Sequence, residues 1–273
     1  MRNLCARVGV MVAAFLTWTS AAAIADPVQA TFTVTVNPLF GQHQVDGGQI
    51  DQLSAAPLPL GELVLRRRND GIRIEGLPPV TFRYGAGSGD GTQSTQLSLI
   101  NATYRRWFAG GWFVGAGQTL YNQFTNYAGV NGTFAYVRDG MVFPIHGREA
   151  QYSRVTGARF EVGRTAQWGR NSFELLVGGN PRMRGVQYTR IPTAPLVCPG
   201  LGPCPLHQLT FADPENAGQL DLSARIAHRL SRGTELVYGV RYLNYSAHYD
   251  DFPGKMADRN VGFAPTIGVR LRL

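Results

Sequence analysis

The sequence predicts an all-β fold: an antiparallel up-and-down transmembrane β-barrel of ten strands with long loops at one end. Three observations predict it. Short segments alternate apolar and polar residues with a period of two, the mark of strands with one apolar and one polar face. The polar faces carry more charge than an ordinary core tolerates. The chain also opens with an export signal. Together these describe a barrel turned inside out, apolar side chains toward lipid and polar ones toward the lumen.

Residues 1–25 read as a secretory signal. Arg2 and Arg7 supply the positive region, Val8 to Trp18 the apolar run, and Ala23-Ile24-Ala25 the small-residue cleavage site. That run is too short to span a bilayer as a helix, which takes about 20 apolar residues. Residues 26–273 are then the barrel domain. The formal charge is +8, and of the basic residues only Lys255 is a lysine. For an exported chain this balance excludes nucleic acid as the partner. Arginine suits phosphate and carboxylate groups, such as those of lipopolysaccharide.

The strands follow in order. Thr31 to Phe40 sets Phe32, Val34 and Val36 against Thr31, Thr33 and Thr35. Leu60 to Arg68 and Ile72 to Tyr84 flank Asn69-Asp70-Gly71, where Asp-Gly signals a hairpin. Pro78-Pro79 interrupts this hairpin, because proline lacks the ladder donor, and eight strands remain if it lies outside the membrane. Thr95 to Phe108 switches its apolar parity near Leu99-Ile100, which predicts a bulge. Trp112 to Tyr127 follows a Gly-rich turn. Gln151 to Arg164 and Phe173 to Thr189 flank a tight turn at Trp168 to Asn171. Gln219 to Leu230 and Thr234 to Tyr249 flank Ser231-Arg232-Gly233, and Val261 to Leu273 closes the chain. The alternation is cleanest in Leu220-Asp221-Leu222-Ser223-Ala224-Arg225 and in the final strand. Connections run long, then short, as outer loops and inner turns do in such barrels. Aromatics near strand ends, among them Trp107, Phe108, Trp112, Phe113, Phe173, Tyr242 and Tyr245, suggest interfacial girdles.

Polar-face parity places Arg159, Glu161, Glu174, Arg182, Arg184, Asp221, Arg225, Arg229, Glu235, Arg241, Arg270 and Arg272 in the lumen. Mixed charges in so narrow a barrel are expected to pair and fill it, since buried charges need partners. The alternative is a narrow Arg-lined channel. Cys198 and Cys204 bracket a small loop, and in an oxidising compartment they are expected to form a disulfide. No cofactor or metal site is predicted.

Chemistry is sparse. No HExxH, GxSxG or phosphate-binding glycine loop occurs. The one polar constellation runs from Arg241 to Asp250, with Asn244, Ser246 and His248 on the strand's apolar face. Its Tyr245-Ser246, with Val261-Gly262-Phe263 beyond, resembles the C-terminal hairpin of the outer-membrane lipid A 3-O-deacylases. The resemblance implies an outer-leaflet hydrolase with Ser246 as nucleophile. The family's histidine position holds Asn244, however, and its following asparagine position holds Ala247. Asparagine cannot accept the serine proton, which leaves His248 as substitute base. His248 with Asp250-Asp251 also matches, in composition, the mouth residues of the ten-stranded omptin proteases.

The expected protein is a monomeric Gram-negative outer-membrane barrel. It is expected to meet membrane lipid, lipopolysaccharide and the barrel-assembly machinery. Its role is expected to be structural or surface-contacting, with the lipid A-modifying hydrolase and the narrow channel as alternatives.

Overall fold

A computed structural model describes residues 27–45, 49–84, 92–138, 141–192, 197–198, 202–203, 208–249 and 257–273. The expected signal segment and Cys204 of the expected disulfide lie outside these residues.

Ten strands close into one barrel. In chain order they are β1 (Gln29–Val45), β2 (Gln49–Arg67), β3 (Asp70–Tyr84), β4 (Thr92–Trp107), β5 (Trp112–Arg138), β6 (Met141–Trp168) and β7 (Asn171–Pro192), then β10 (Gln208–Arg229), β11 (Thr234–Tyr249) and β12 (Ala257–Arg272). The intervening β8 (Val197–Cys198) and β9 (Gly202–Pro203) form a separate two-stranded ladder. All neighbours are antiparallel. β1 seals the barrel against β12, with Thr31 opposite Arg272 and Val36 opposite Ile267. No helix of the described residues is long and apolar enough to cross a membrane.

The tight turns gather at one end, with the start of β1 and the end of β12. Gly110 and Gly111, at φ 73° and 77°, and Gly169, at φ 57°, occupy the left-handed region that such turns require. The β2–β3 turn sits earlier than Asp-Gly suggests. It is built on Arg68, at φ 54°, and Asn69, while Gly71 pairs inside the ladder with Arg66 and Arg105. A Cβ at Gly71 would collide with the Leu65 carbonyl oxygen and stand 3.0 Å from the Trp107 ring, which explains the glycine without a turn.

The outer wall is apolar. Phe32, Val34, Val36, Val114, Phe160, Val162, Leu175, Val177, Leu222, Val240, Ile267 and Val269 are all exposed on it. A continuous belt of this kind is far beyond what a water-facing monomer carries, and hydrocarbon is the solvent it fits. Exposed Phe108, Trp112 and Trp168 lie at the turn end of this belt. Trp107, Phe113 and Tyr245 do not belong to it, because they point into the lumen and are buried.

Two irregularities fall at prolines. In β3 one extra residue stands between Leu77 and Val80 opposite Leu97–Leu99 of β4, so Pro78-Pro79 forms a bulge without ending the strand. The expected bulge in β4 is absent. Its pairing with β5 is continuous from Thr92 to Trp107. The apolar parity changes because Leu97 and Leu99 point inward and pack in a lumenal apolar cluster. In β7 one extra residue stands at Pro181–Arg182 relative to both β6 and β10. Inward Asn180 is followed three residues later by inward Met183, so the face of every residue beyond is switched.

Candidate functional site

The described lumen is layered. At the turn end Trp107, Phe113 and Leu176 make an apolar floor with Val64. The Arg105 guanidinium lies 4.4 Å from the Phe113 ring centroid, joining the floor to the charged layer above it.

That charged layer contains six acids and six arginines. Glu62, Glu75, Glu161, Glu174, Asp221 and Glu235 face Arg73, Arg105, Arg159, Arg225, Arg241 and Arg270. They come from every barrel strand except β1 and β5. Arg73 is the hub. Its Nε donates to Glu62 at 2.7 Å, its Nη1 to Glu161 at 2.9 Å, and its Nη2 to Glu75. Arg159 lies fully buried between Glu161 and Asp221, at 2.8 Å from each. Arg241 ties Asp221, at 2.6 Å, to Glu75, at 2.8 Å. Arg225 ties Glu62, at 3.1 Å, to Glu174, at 3.0 Å. Arg105 donates to Glu161 at 2.8 Å, and Arg270 reaches Glu174 at 3.5 Å.

Neutral groups complete the layer. Thr103 donates to Glu161 at 3.2 Å and Asn101 to Glu75 at 3.0 Å. The Thr119 hydroxyl lies 2.7 Å from Asn101 Oδ1 and 3.1 Å from Asn180 Oδ1. Glycine makes the room. A Cβ at Gly178 would stand 2.6 Å from Arg159 Nη2, and one at Gly115 3.2 Å from Arg105 Cγ.

Beyond the charged layer, toward the loop end, the lumen is apolar again. Leu58, Leu60, Leu77, Leu99, Tyr121, Val155, Met183, Ala217, Tyr245 and Ala247 pack together, and Tyr121 and Tyr245 stack at 4.3 Å. Glu215 is buried beside this plug, accepting from Ser153 and from the Tyr245 hydroxyl at 2.8 Å.

Most of the residues that parity assigned to the lumen lie in this network, with Arg272 at its edge bonded to Glu235. Three do not. Arg229 is exposed at the strand end. Arg182 and Arg184 are exposed on the outer wall, because the β7 bulge reverses the face they would otherwise share with Glu174. Four network members escaped sequence reasoning: Glu62, Arg73, Glu75 and Arg105. Their signal is present as Arg73-x-Glu75 alternating with Ile72 and Ile74, but Pro78-Pro79 interrupts the pattern of that hairpin.

Ser246 and His248 do not meet as a catalytic pair. Both project outward, since Tyr245 and Ala247 between them are buried in the lumen, and no hydrogen bond joins the two. Same-face neighbours on a strand stand roughly 7 Å apart by rise alone. Asp250 and Asp251 lie outside the described residues. His228 sits at the turn end, 2.8 Å from Asn171 Oδ1.

Neither a protein-family model nor a curated protein matches the sequence. Solved structures do match the fold. The outer membrane protease OmpT from Escherichia coli superposes with a TM-score of 0.56 at 11% identity, over 90% of this chain and 97% of that one. The fold is that of the outer-membrane β-barrels. The translocator domain of autotransporter NalP from Neisseria meningitidis aligns over 99% of this chain and 98% of that one, at 12% identity and a TM-score of 0.47. At such identities the likeness is of fold alone. The deacylase resemblance of the C-terminal hairpin finds no counterpart among these structures.

Proposed function

We propose that this protein is a closed, non-catalytic barrel of the Gram-negative outer membrane, a structural anchor that presents its loops for surface contact. One observation carries the reading: the lumen is filled by a charge-balanced network between two apolar layers. A selective anion path needs unpaired cationic groups along a wet route. Here six arginines meet six acids within ion-pair distance, and an apolar floor closes one side. A hydrolase needs a nucleophile beside its base, and Ser246 has none bonded to it.

The test is conductance together with lipid chemistry. Purified protein refolded into planar bilayers is expected to give no stable conductance steps. In cells it is expected to fractionate with the outer membrane and to leave lipid A mass spectra unchanged, with or without Ser246→Ala. Steady single-channel currents would establish the channel reading instead. Ser246-dependent loss of an acyl chain would establish the hydrolase.

A further inference from the structure

The outer wall carries cations where a lipid-facing strand has no need of them. Beyond the bulge in β7, Arg182 and Arg184 are exposed on the outward face. Arg154 of β6 is half-buried on the same wall, and its strand partner is Val186. Thr156 is opposite Arg184, so Arg154 and Arg184 are diagonal neighbours, roughly 7–8 Å apart at Cα by ladder geometry. Above them Tyr152 and Tyr188 are directly paired, exposed, and stacked at 6.4 Å.

None of these three arginines takes part in an ion pair of the described residues. This contrasts with the lumen, where each arginine of the charged layer has a carboxylate. Every acid of β6, β7 and β10 whose side chain is described (Glu161, Glu174, Glu215 and Asp221) is instead turned inward. The patch is therefore cationic with no internal counter-charge.

Its height fits a head group. A strand rises about 3.3 Å per residue, and a tilt of about 40° leaves roughly 2.5 Å along the barrel axis. Thr156, level with Arg184, is twelve residues from Trp168 at the turn end. That places Arg184 about 30 Å above Trp168, just past an apolar band about 25 Å tall. Arg182 lies slightly lower, within snorkelling reach, and the tyrosines lie higher.

The bulge is the device that exposes the patch. Asn180 anchors it by donating to the Ala158 carbonyl at 2.8 Å, and Pro181 has no N–H to contribute to the ladder. Without the extra residue, Arg182 and Arg184 would point inward.

We infer that Arg154, Arg182 and Arg184, with the Tyr152–Tyr188 pair above them, form a binding site for the phosphorylated glucosamine head group of an outer-leaflet glycolipid. Guanidinium forks pair with phosphate bidentately, and two of them on adjacent strands can hold one phosphate between them. The tyrosines offer a flat amphipathic surface at sugar height. This inference rests on the outer-membrane placement proposed above.

Binding is therefore measured on refolded protein in detergent micelles, where neither cellular location nor conductance enters. The probes are bisphosphorylated lipid A, the same lipid A with both phosphates removed, and phosphatidylglycerol. The readout is the count of bound lipids by native mass spectrometry, with apparent affinities. Wild-type protein is expected to bind bisphosphorylated lipid A at least tenfold more tightly than the other two. Arg154→Gln/Arg182→Gln/Arg184→Gln is expected to lose at least that factor. Arg170→Gln/Arg232→Gln, at exposed arginines of the turn end, is expected to bind as wild type does. Heat-modifiable gel mobility verifies folding of each variant. Equal affinity for phosphatidylglycerol, or lipid A binding by the triple variant within twofold of wild type, overturns the inference.

Discussion

Arg73→Met removes one charge from the centre of the lumen and keeps most of the apolar stem. Arg73 is about 2% exposed at its side chain and donates to Glu62, Glu161 and Glu75. After the substitution six acids face five arginines, and three carboxylates lose a donor at once. Breaking a buried pair by removing one partner costs about 3–5 kcal/mol, because the remaining charge is left uncompensated in a dry site. With a denaturant slope on the order of 2 kcal/mol per molar urea, the unfolding midpoint should fall by roughly 2 M. The assay is urea titration of protein refolded into lipid vesicles, followed by tryptophan fluorescence and gel mobility. Arg73→Met/Glu75→Met restores five against five and should lose less than the two single changes summed, by roughly 0.5–3 kcal/mol of coupling. Arg170→Met, on the exposed rim, supplies the baseline. If Arg73→Met matched that baseline within about 0.5 kcal/mol, the scale of a change at an unconstrained surface site, the network would not be holding the lumen together.

Three further outcomes are expected. Gly178→Ala should destabilise by about 1–3 kcal/mol in the same titration, because its methyl would stand 2.6 Å from Arg159 Nη2, a fully buried group fixed on both sides. Val177→Arg, on the exposed apolar wall, should cost about 2–4 kcal/mol near the bilayer midplane, whereas a water-facing wall would accept it without loss of folding yield. Cys198 and Cys204 should resist maleimide in folded protein purified without reductant and react after reduction, and labelling of both before reduction would exclude the disulfide.

The wall was more legible in the sequence than the lumen, for a physical reason. Lipid sets one demand on a strand, an apolar residue at every second position, and Val34, Val36, Ile267 and Val269 meet it without exception. The lumen sets several demands at different depths. Leu97 and Leu99 obey the same alternation but fill an inner apolar layer, so parity of hydrophobicity alone misassigns them to the wall and suggests a bulge that β4 does not have. Two of the real bulges lie at Pro78-Pro79 and Pro181, where a missing N–H makes an unpaired residue cheap. The first makes its hairpin look unlike a membrane span, although that hairpin supplies Glu62, Arg73 and Glu75. The second is a lone proline in an otherwise regular strand, and its extra residue puts Arg182 and Arg184 on the face opposite to the one parity assigns.

That second bulge also accounts for the balance of the lumen. An unbroken β7 would carry Arg182 and Arg184 inward with Glu174, adding two guanidiniums to a lumen whose charged layer already pairs six arginines with six acids. The charged layer has no spare carboxylate for them, Glu215 already accepts from Ser153 and Tyr245, and a guanidinium left without a partner there would bear the desolvation penalty. Inserting one residue at Pro181–Arg182 sends both cations to the outer wall and turns Met183 in, against Val155 and Leu99, where an apolar side chain is needed. A single backbone irregularity thus keeps two cations out of the lumen, completes the apolar plug above the charged layer, and leaves a cationic patch facing outward at head-group height. The lumen and the outer wall of this barrel are therefore coupled through one position, and a change that removed the bulge would disturb both together.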